Sequence, residues 1–147
     1  MSQSKDKTTN QESVLSNMMM SDSALTQAYL TQQRVAQYGF DWPSWHGVLE
    51  KVKEEVEEVN NELEADVIDR CKVKDEIGDL LFAVVNLARN QGLDPETVLS
   101  EATKKFTNRF LQVEALLHRE DSNIKQANLS EMEQAWQKVK LNELECD

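Results

Sequence analysis

The sequence predicts an all-α protein, and two observations support this prediction. The 147 residues include only four Gly and two Pro, and the abundant Glu, Gln, Leu, Lys and Ala favour helices. Apolar residues recur at helical spacing in five segments, and no alternating run is long enough to require a strand. We therefore expect a bundle of four to five helices.

The chain divides into one domain and two short tails. Residues 1–20 are polar with little to bury and predict a disordered tail. The domain is expected over 21–141, with a short C-terminal tail over 142–147. Its first helix should run from about 22 to 38, where Asp22 or Ser23 can cap the start and Gly39 suits the position after the end.

Four more helices follow in order. An aromatic turn at 40–45 precedes the second, and Asp94 and Pro95 suit the start of the fourth. The pattern Ser130-Glu131-Met132-Glu133 predicts a capping box at the start of the last. The expected positions are about 44–64, about 72–91, from 94 onward, and around Trp136.

The charge and the cysteines exclude several classes of partner. A net charge of −11 disfavours nucleic acid, because phosphate backbones bind basic surfaces. No apolar stretch approaches the roughly 20 residues of a membrane span, and the N-terminus lacks the apolar core of a signal peptide. Cys71 and Cys146 have neither metal-site nor disulfide-framework spacing. We expect a cytoplasmic protein.

Two carboxylates enter an apolar segment of the third helix. Glu76 and Asp79 are three residues apart and share a helix face, while 77–85 is apolar enough to be buried on nearly every side. Burying an unpaired carboxylate costs several kcal/mol, on the order of its desolvation, so we expect a cation opposite. Packing on one face of a bundle would not bury the whole apolar run, which favours a homodimer or higher homo-oligomer.

The second helix offers more acids, and helical position selects among them. At about 100° per residue, Glu55 and Glu58 lie along one edge of the apolar stripe, and Glu54 points away. Glu62 lies near the inner pair and remains an alternative. Paired acids on two helices are typical of carboxylate metal sites, and oxygen ligands without His or Cys favour Mg²⁺, with Mn²⁺ as a substitute.

Lys105 and Arg109 lie one turn apart on one shoulder of the fourth helix's apolar stripe. They can be exposed side chains covering the edge of the core. Beside a divalent-metal site they can instead bind phosphate oxygens. The residues alone leave both interpretations open.

Together these motifs resemble the MazG family of nucleoside triphosphate pyrophosphohydrolases. The family signature, E-E-x-x-E followed by E-x-x-D, stands here at 54–58 and 76–79 with seventeen residues between. The resemblance extends to 39–42, 105–110 and 135–136, and covers about residues 23–140.

The resemblance implies a reaction and roles for named residues. The reaction is hydrolysis of a nucleoside triphosphate to the monophosphate and pyrophosphate, suited to nucleotide-pool housekeeping, with Glu54 or Glu58 as the base that accepts a proton from water. The family also implies a dimer. The implied Mg²⁺ ligands are Glu55, Glu58, Glu76 and Asp79, and the implied nucleotide contacts are Lys51, Lys105, Arg109 and Trp136.

Two alternatives remain from the sequence. A narrower enzyme of the same superfamily, resembling dUTPases, dCTPases or phosphoribosyl-ATP pyrophosphohydrolase, has a similar carboxylate pattern. A non-catalytic helical interaction module would leave the same acids solvated. The sequence also does not select the aromatic ring that stacks on the base, for which Phe40, Trp42, Trp45 and Trp136 are candidates.

Overall fold

The computed structural model describes residues 12–145, and every regular element in that span is an α-helix. The predicted all-α class is confirmed. Residues 1–11 of the predicted N-terminal tail and residues 146–147, with Cys146, lie outside the described residues. The helices are α1 (Ala24–Ala36), α2 (Trp45–Glu64), α3 (Arg70–Asn90), α4 (Pro95–Arg119) and α5 (Leu129–Glu145).

Side-chain caps set where the helices begin. Of the two candidates for α1, Ser23 is the cap, and its side chain accepts a hydrogen bond from the Thr26 amide. The Asp69 side chain accepts from the amides of Cys71 and Lys72, so α3 starts at Arg70, two residues before the predicted start. Asp94 accepts from the Glu96 amide at the start of α4.

The start of α5 corrects a sequence prediction. The capping box is formed by Asn128 and Glu131, not by Ser130 and Glu133. The Glu131 amide donates to Asn128 Oδ1 at 3.0 Å, and the Asn128 amide donates to Glu131 Oε2 at 3.1 Å. The helix then continues to Glu145, four residues beyond the expected domain end at 141.

The chain forms two compact units that meet in sequence at Glu96 and Thr97. In the first unit α2 packs along α3, and α1 packs against α3. Burial of apolar side chains stabilises this arrangement. Its buried apolar side chains are Val48, Val73, Ala83 and Val85. These helices carry the acidic motifs found in the sequence.

The second unit contains most of α4 and all of α5. Its core is a cluster of Val113, Leu117, Ala135 and Val139, with Trp136 packed at the edge. The Phe106 ring of α4 lies 5.3 Å from the Trp136 ring, between centroids. Phe106 is nevertheless largely exposed.

The apolar run of α3 is not buried on nearly every side, and that prediction is wrong for the single chain. Ala83 and Val85 are buried, whereas Ile77, Leu81 and Val84 are exposed. The reason is geometric, because packing against α1 and α2 buries only part of the circumference of α3. Within residues 12–145, no helix combines the length and apolar character that crossing a membrane requires.

Candidate metal and nucleotide site

Three carboxylates from two helices converge in the first unit. Glu55 of α2 and Glu76 and Asp79 of α3 each present a ligand oxygen, and these oxygens lie within 4.8 Å of one another. The convergence follows from local geometry, since Glu76 and Asp79 share one face of α3 and α2 packs along that helix. Three negative groups this close favour binding of a cation.

Glu55 is the most buried member of this group. Its relative exposure is 6%, and Lys51 Nζ lies 2.6 Å from its Oε1. Lys51 also contacts the exposed Glu54 at 3.0 Å. Helical spacing predicted Glu55 inside and Glu54 outside, and the structure places them so. Hydrogen bonds to the two carboxylates raise the pKa of Lys51, which keeps it charged.

Glu76 is surrounded by negative charge. Partial burial raises its pKa from the usual value, and nearby carboxylates raise it further. Those carboxylates are Glu58, Asp79, Glu55 and Glu62. Glu58, a predicted ligand, is thus an electrostatic neighbour of the site although it is outside the close group of three. Glu62, the alternative that spacing left open, occupies a similar position.

A cavity of about 740 Å³ adjoins the carboxylates. Lys51, Glu55 and Asp79 line it, so two of the three clustered acids face the same space. Its remaining walls come from α1, the aromatic turn and α3. Gln32, Val35, Phe40, Trp42, Phe82 and Asn86 are among those wall residues. A mostly apolar cavity that contains a few polar and charged side chains is typical of a small-molecule binding site.

The aromatic turn is fixed in place by an ion pair and by close packing. Arg89 Nη2 donates to Asp41 Oδ1 at 2.6 Å, and this bond lowers the pKa of Asp41. The Trp42 amide donates to the same oxygen at 2.8 Å. The Trp42 ring covers Gly47, where an added Cβ would lie 2.7 Å from the ring. These contacts position the Trp42 ring in the cavity wall.

The four candidate stacking rings have different surroundings. Phe40 and Trp42 line the cavity. Trp45 stacks on His46 with centroids 3.6 Å apart, and Trp136 packs at the edge of the second unit's core. Only Phe40 and Trp42, among these four, therefore share a cavity with the clustered acids.

The predicted phosphate-binding residues of α4 belong to the second unit. Lys105 is exposed. Arg109 already has a partner in α5, because its Nε and Nη2 donate to Glu143 Oε2 at 2.9 and 2.7 Å. The pair raises the pKa of Arg109 and lowers that of Glu143. Sequence reasoning missed Glu143, because it assigned that position to a tail.

Other residues of the site were also missed. Gln32 and Asn86 are ordinary polar residues within helices, and nothing in their spacing separates them from solvated neighbours. Asp41 and Arg89 are 48 positions apart in sequence, so their pairing depends on the packing of the turn against α3.

Comparison with known proteins identifies relatives of this chain. Residues 44–113 match the sequence model of the MazG nucleotide pyrophosphohydrolase domain. The chain is 41% identical to the Escherichia coli K12 protein named nucleoside triphosphate pyrophosphohydrolase, over 92% of this chain and 51% of that protein.

A second relative, from Thermotoga maritima, is named nucleoside triphosphate pyrophosphohydrolase/pyrophosphatase MazG. It is 36% identical over 80% of this chain and 44% of its own length. The chain thus spans about half the length of the curated relatives it matches. The matched family segment includes α2, α3 and the clustered carboxylates.

Proposed function

Since the chain belongs to the MazG nucleotide pyrophosphohydrolase family through residues 44–113, we propose that it hydrolyses nucleoside triphosphates to the monophosphate and pyrophosphate with Mg²⁺. The observation that supports this most is the convergence of Glu55, Glu76 and Asp79 beside a cavity of about 740 Å³. The names of the relatives agree with this reaction.

The donor set fits a hard divalent cation. All three clustered side chains offer carboxylate oxygens, the ligand type that Mg²⁺ prefers, and Mn²⁺ is the natural substitute. Glu55, Glu76 and Asp79 would hold the ion, and Glu58 would complete the set from beside Glu76. Such an ion, when bound, activates water and offsets the negative charge of the phosphoryl group.

Lys51 supplies a positively charged side chain beside the carboxylates. Its ammonium group lies between Glu54 and Glu55 in the cavity wall. In that position it can bind a phosphate oxygen of a nucleotide that enters the cavity. Glu54 and Glu58 are the two candidate bases: Glu54 is exposed and paired with Lys51, and Glu58 can accept the proton of water only where it does not itself hold the ion.

The cavity walls suit the nucleobase. Phe40 is 80% exposed and Trp42 half exposed, so both rings have surface available for stacking. With the phosphates near Lys51 and the carboxylates, the base would lie against these rings. This assignment favours Phe40 and Trp42 over Trp45 and Trp136.

Lys105, Arg109 and Trp136 remain proposed nucleotide contacts through the family resemblance. Arg109 would have to exchange the Glu143 carboxylate for a phosphate oxygen, which it can bind with the same pair of N–H groups. Trp136 contributes to the core of its unit, so its replacement would also affect stability.

A homodimer is part of the proposal. Ile77, Leu81 and Val84 form an exposed apolar surface on α3, and such surfaces are typical of subunit interfaces. Light scattering coupled to size exclusion should give twice the chain mass. A Leu81→Glu variant should shift the mass toward the monomer, and a monomeric wild-type protein would contradict the dimer.

A substrate panel tests the reaction against its alternatives. We expect pyrophosphate release from several common NTPs and dNTPs in the presence of Mg²⁺. Activity confined to one pyrimidine nucleotide or to phosphoribosyl-ATP would replace the broad specificity with a narrower relative's. No hydrolysis of any of them would favour the interaction module. Cytoplasmic location stays a prediction from the sequence.

A further inference from the structure

Gln32 is a buried polar residue in the wall of the cavity. It lies in α1, is 5% exposed, and its Nε2 donates to the Phe82 carbonyl of α3 at 2.8 Å. A backbone carbonyl can only accept, so the side-chain amide must turn its NH₂ group toward Phe82. This hydrogen bond fixes the orientation of the amide and commits its donor side to the protein.

The oxygen of the same side-chain amide accepts no hydrogen bond from the described part of the chain. This atom, Gln32 Oε1, is buried. Buried polar atoms are nearly always hydrogen-bonded, because an unmatched one retains the full cost of leaving water. An acceptor left unmatched in a cavity wall is therefore suited to a ligand's donor.

We propose that Gln32 recognises the nucleobase, with Oε1 accepting a hydrogen bond from an N–H group on the edge of the ring. The inference rests on the proposed function, since it takes the ligand of the cavity to be a nucleotide. The group it selects is an exocyclic amino group or a ring N–H. A base whose edge offers only an acceptor at this position would place that oxygen or nitrogen against Oε1. The two acceptors would repel each other, and the base would be rejected.

The surroundings of Gln32 support a flat, largely apolar ligand. Val35, Trp42 and Phe82 line the same cavity. Oε1 is covered by its neighbours, so a base reaches it when a side chain of the cavity wall moves aside. Lys51, Glu55 and Asp79 lie in the same cavity, where the phosphates would bind.

Gln32 is well suited to strict selection because it is not free to rotate. Turning the amide over to present NH₂ to a ligand would break the bond to Phe82 and bring two oxygens together. Gln32 would thus act as an acceptor only. Sites of this kind discriminate strongly against analogues that lack the matching donor.

The test uses pairs of nucleoside monophosphates that differ in a single donor. They are AMP and purine riboside monophosphate, CMP and its pyrimidin-2-one analogue, UMP and N3-methyl-UMP, and GMP compared with IMP and with N1-methyl-GMP. Calorimetry measures binding to the wild type, to Gln32→Met and to the control Gln33→Met, whose side chain is exposed on the same helix. Binding does not require turnover, so the result is separate from the hydrolysis assay.

We expect wild type and Gln33→Met to bind the donor-bearing member of at least one pair tenfold or more tightly. Gln32→Met should bind both members of that pair equally, at the affinity of the analogue. Thermal unfolding verifies that Gln32→Met is folded. The wild-type pairs test the contact without any variant, and equal affinity within every pair would overturn the proposal.

Two further outcomes separate this inference from the proposed function. If the enzyme hydrolyses triphosphates but Gln32→Met keeps the wild-type preference, the inference is wrong and the function stands. If no triphosphate is hydrolysed but the preference exists and depends on Gln32, the inference stands and the function is wrong.

Discussion

Asp79→Asn should remove most of the stabilisation that Mg²⁺ gives to the folded protein. The substitution keeps the shape of the side chain but replaces one of three clustered carboxylates with a neutral amide. Asp79 is exposed and lies near the middle of α3, so the helix itself should tolerate the change. The substitution should therefore change ion binding and leave the helix intact.

The expected magnitude follows from binding linkage. An ion present at 100 times its Kd stabilises the folded state by about 2.7 kcal/mol. That corresponds to about 5–10 °C in Tm for a chain of this size. If losing one of three charged ligands weakens binding about 100-fold, the same concentration gives about 0.4 kcal/mol, or roughly 1 °C.

The assay is thermal unfolding followed by circular dichroism, with and without millimolar Mg²⁺. Glu57→Gln is the matched control, because it removes one negative charge from an exposed position of α2 outside the close carboxylate group. The control should keep the full shift. Without Mg²⁺, Asp79→Asn should be at least as stable as wild type, because the variant relieves repulsion that also raises the pKa of Glu76.

Two results would refute this reasoning. A wild-type protein with no Mg²⁺- or Mn²⁺-dependent shift would show that the three carboxylates do not form an ion site. An equal shift in Asp79→Asn and wild type would show that the ion binds elsewhere.

Three further predictions concern the rest of the fold. The Arg109 ion pair lowers the pKa of Glu143, so its stabilisation is present above the ordinary value near 4.5 and is lost as pH falls through the lowered pKa. Glu143→Gln should therefore lower Tm at pH 7 and lower it progressively less as the pH falls below 4.5, and a loss that does not change with pH would contradict the ion pair. Gly47→Ala should displace the Trp42 ring, 2.7 Å from the new Cβ, and raise the KM for nucleotide severalfold, whereas Gly78→Ala, with open space at its Cβ, should not. Val113→Ala should lower the free energy of unfolding, measured in urea, by about 2–3 kcal/mol, because Val113 is 1% exposed and the truncation leaves a cavity. A loss under about 0.5 kcal/mol would show instead that the α4–α5 core relaxes around the gap.

The sequence predicted the features that depend on local periodicity. Glu55 points inward and Glu54 outward because a helix fixes side-chain direction relative to its apolar stripe. Glu76 and Asp79 share a face for the same reason, so their meeting with Glu55 required only that α2 and α3 pack together.

Features that depend on tertiary packing were not predictable in this way. The pairing of Arg109 with Glu143 joins two helices, and no local pattern indicates it. Burial of the apolar run of α3 was overestimated, because composition shows how much surface is apolar but not how much of it a neighbour covers. The unmatched oxygen of Gln32 depends on the positions of all the atoms around it, which no sequence pattern indicates.

Phosphorus NMR of a reaction with ATP and Mg²⁺ tests the central claim most directly. The wild-type protein should produce AMP and pyrophosphate in equal amounts, with no ADP or phosphate, and chelation of the metal should stop the reaction. Asp79→Asn should be inactive and Glu57→Gln active. Formation of ADP and phosphate, or full activity of Asp79→Asn, would contradict a pyrophosphohydrolase centre built on Glu55, Glu76 and Asp79.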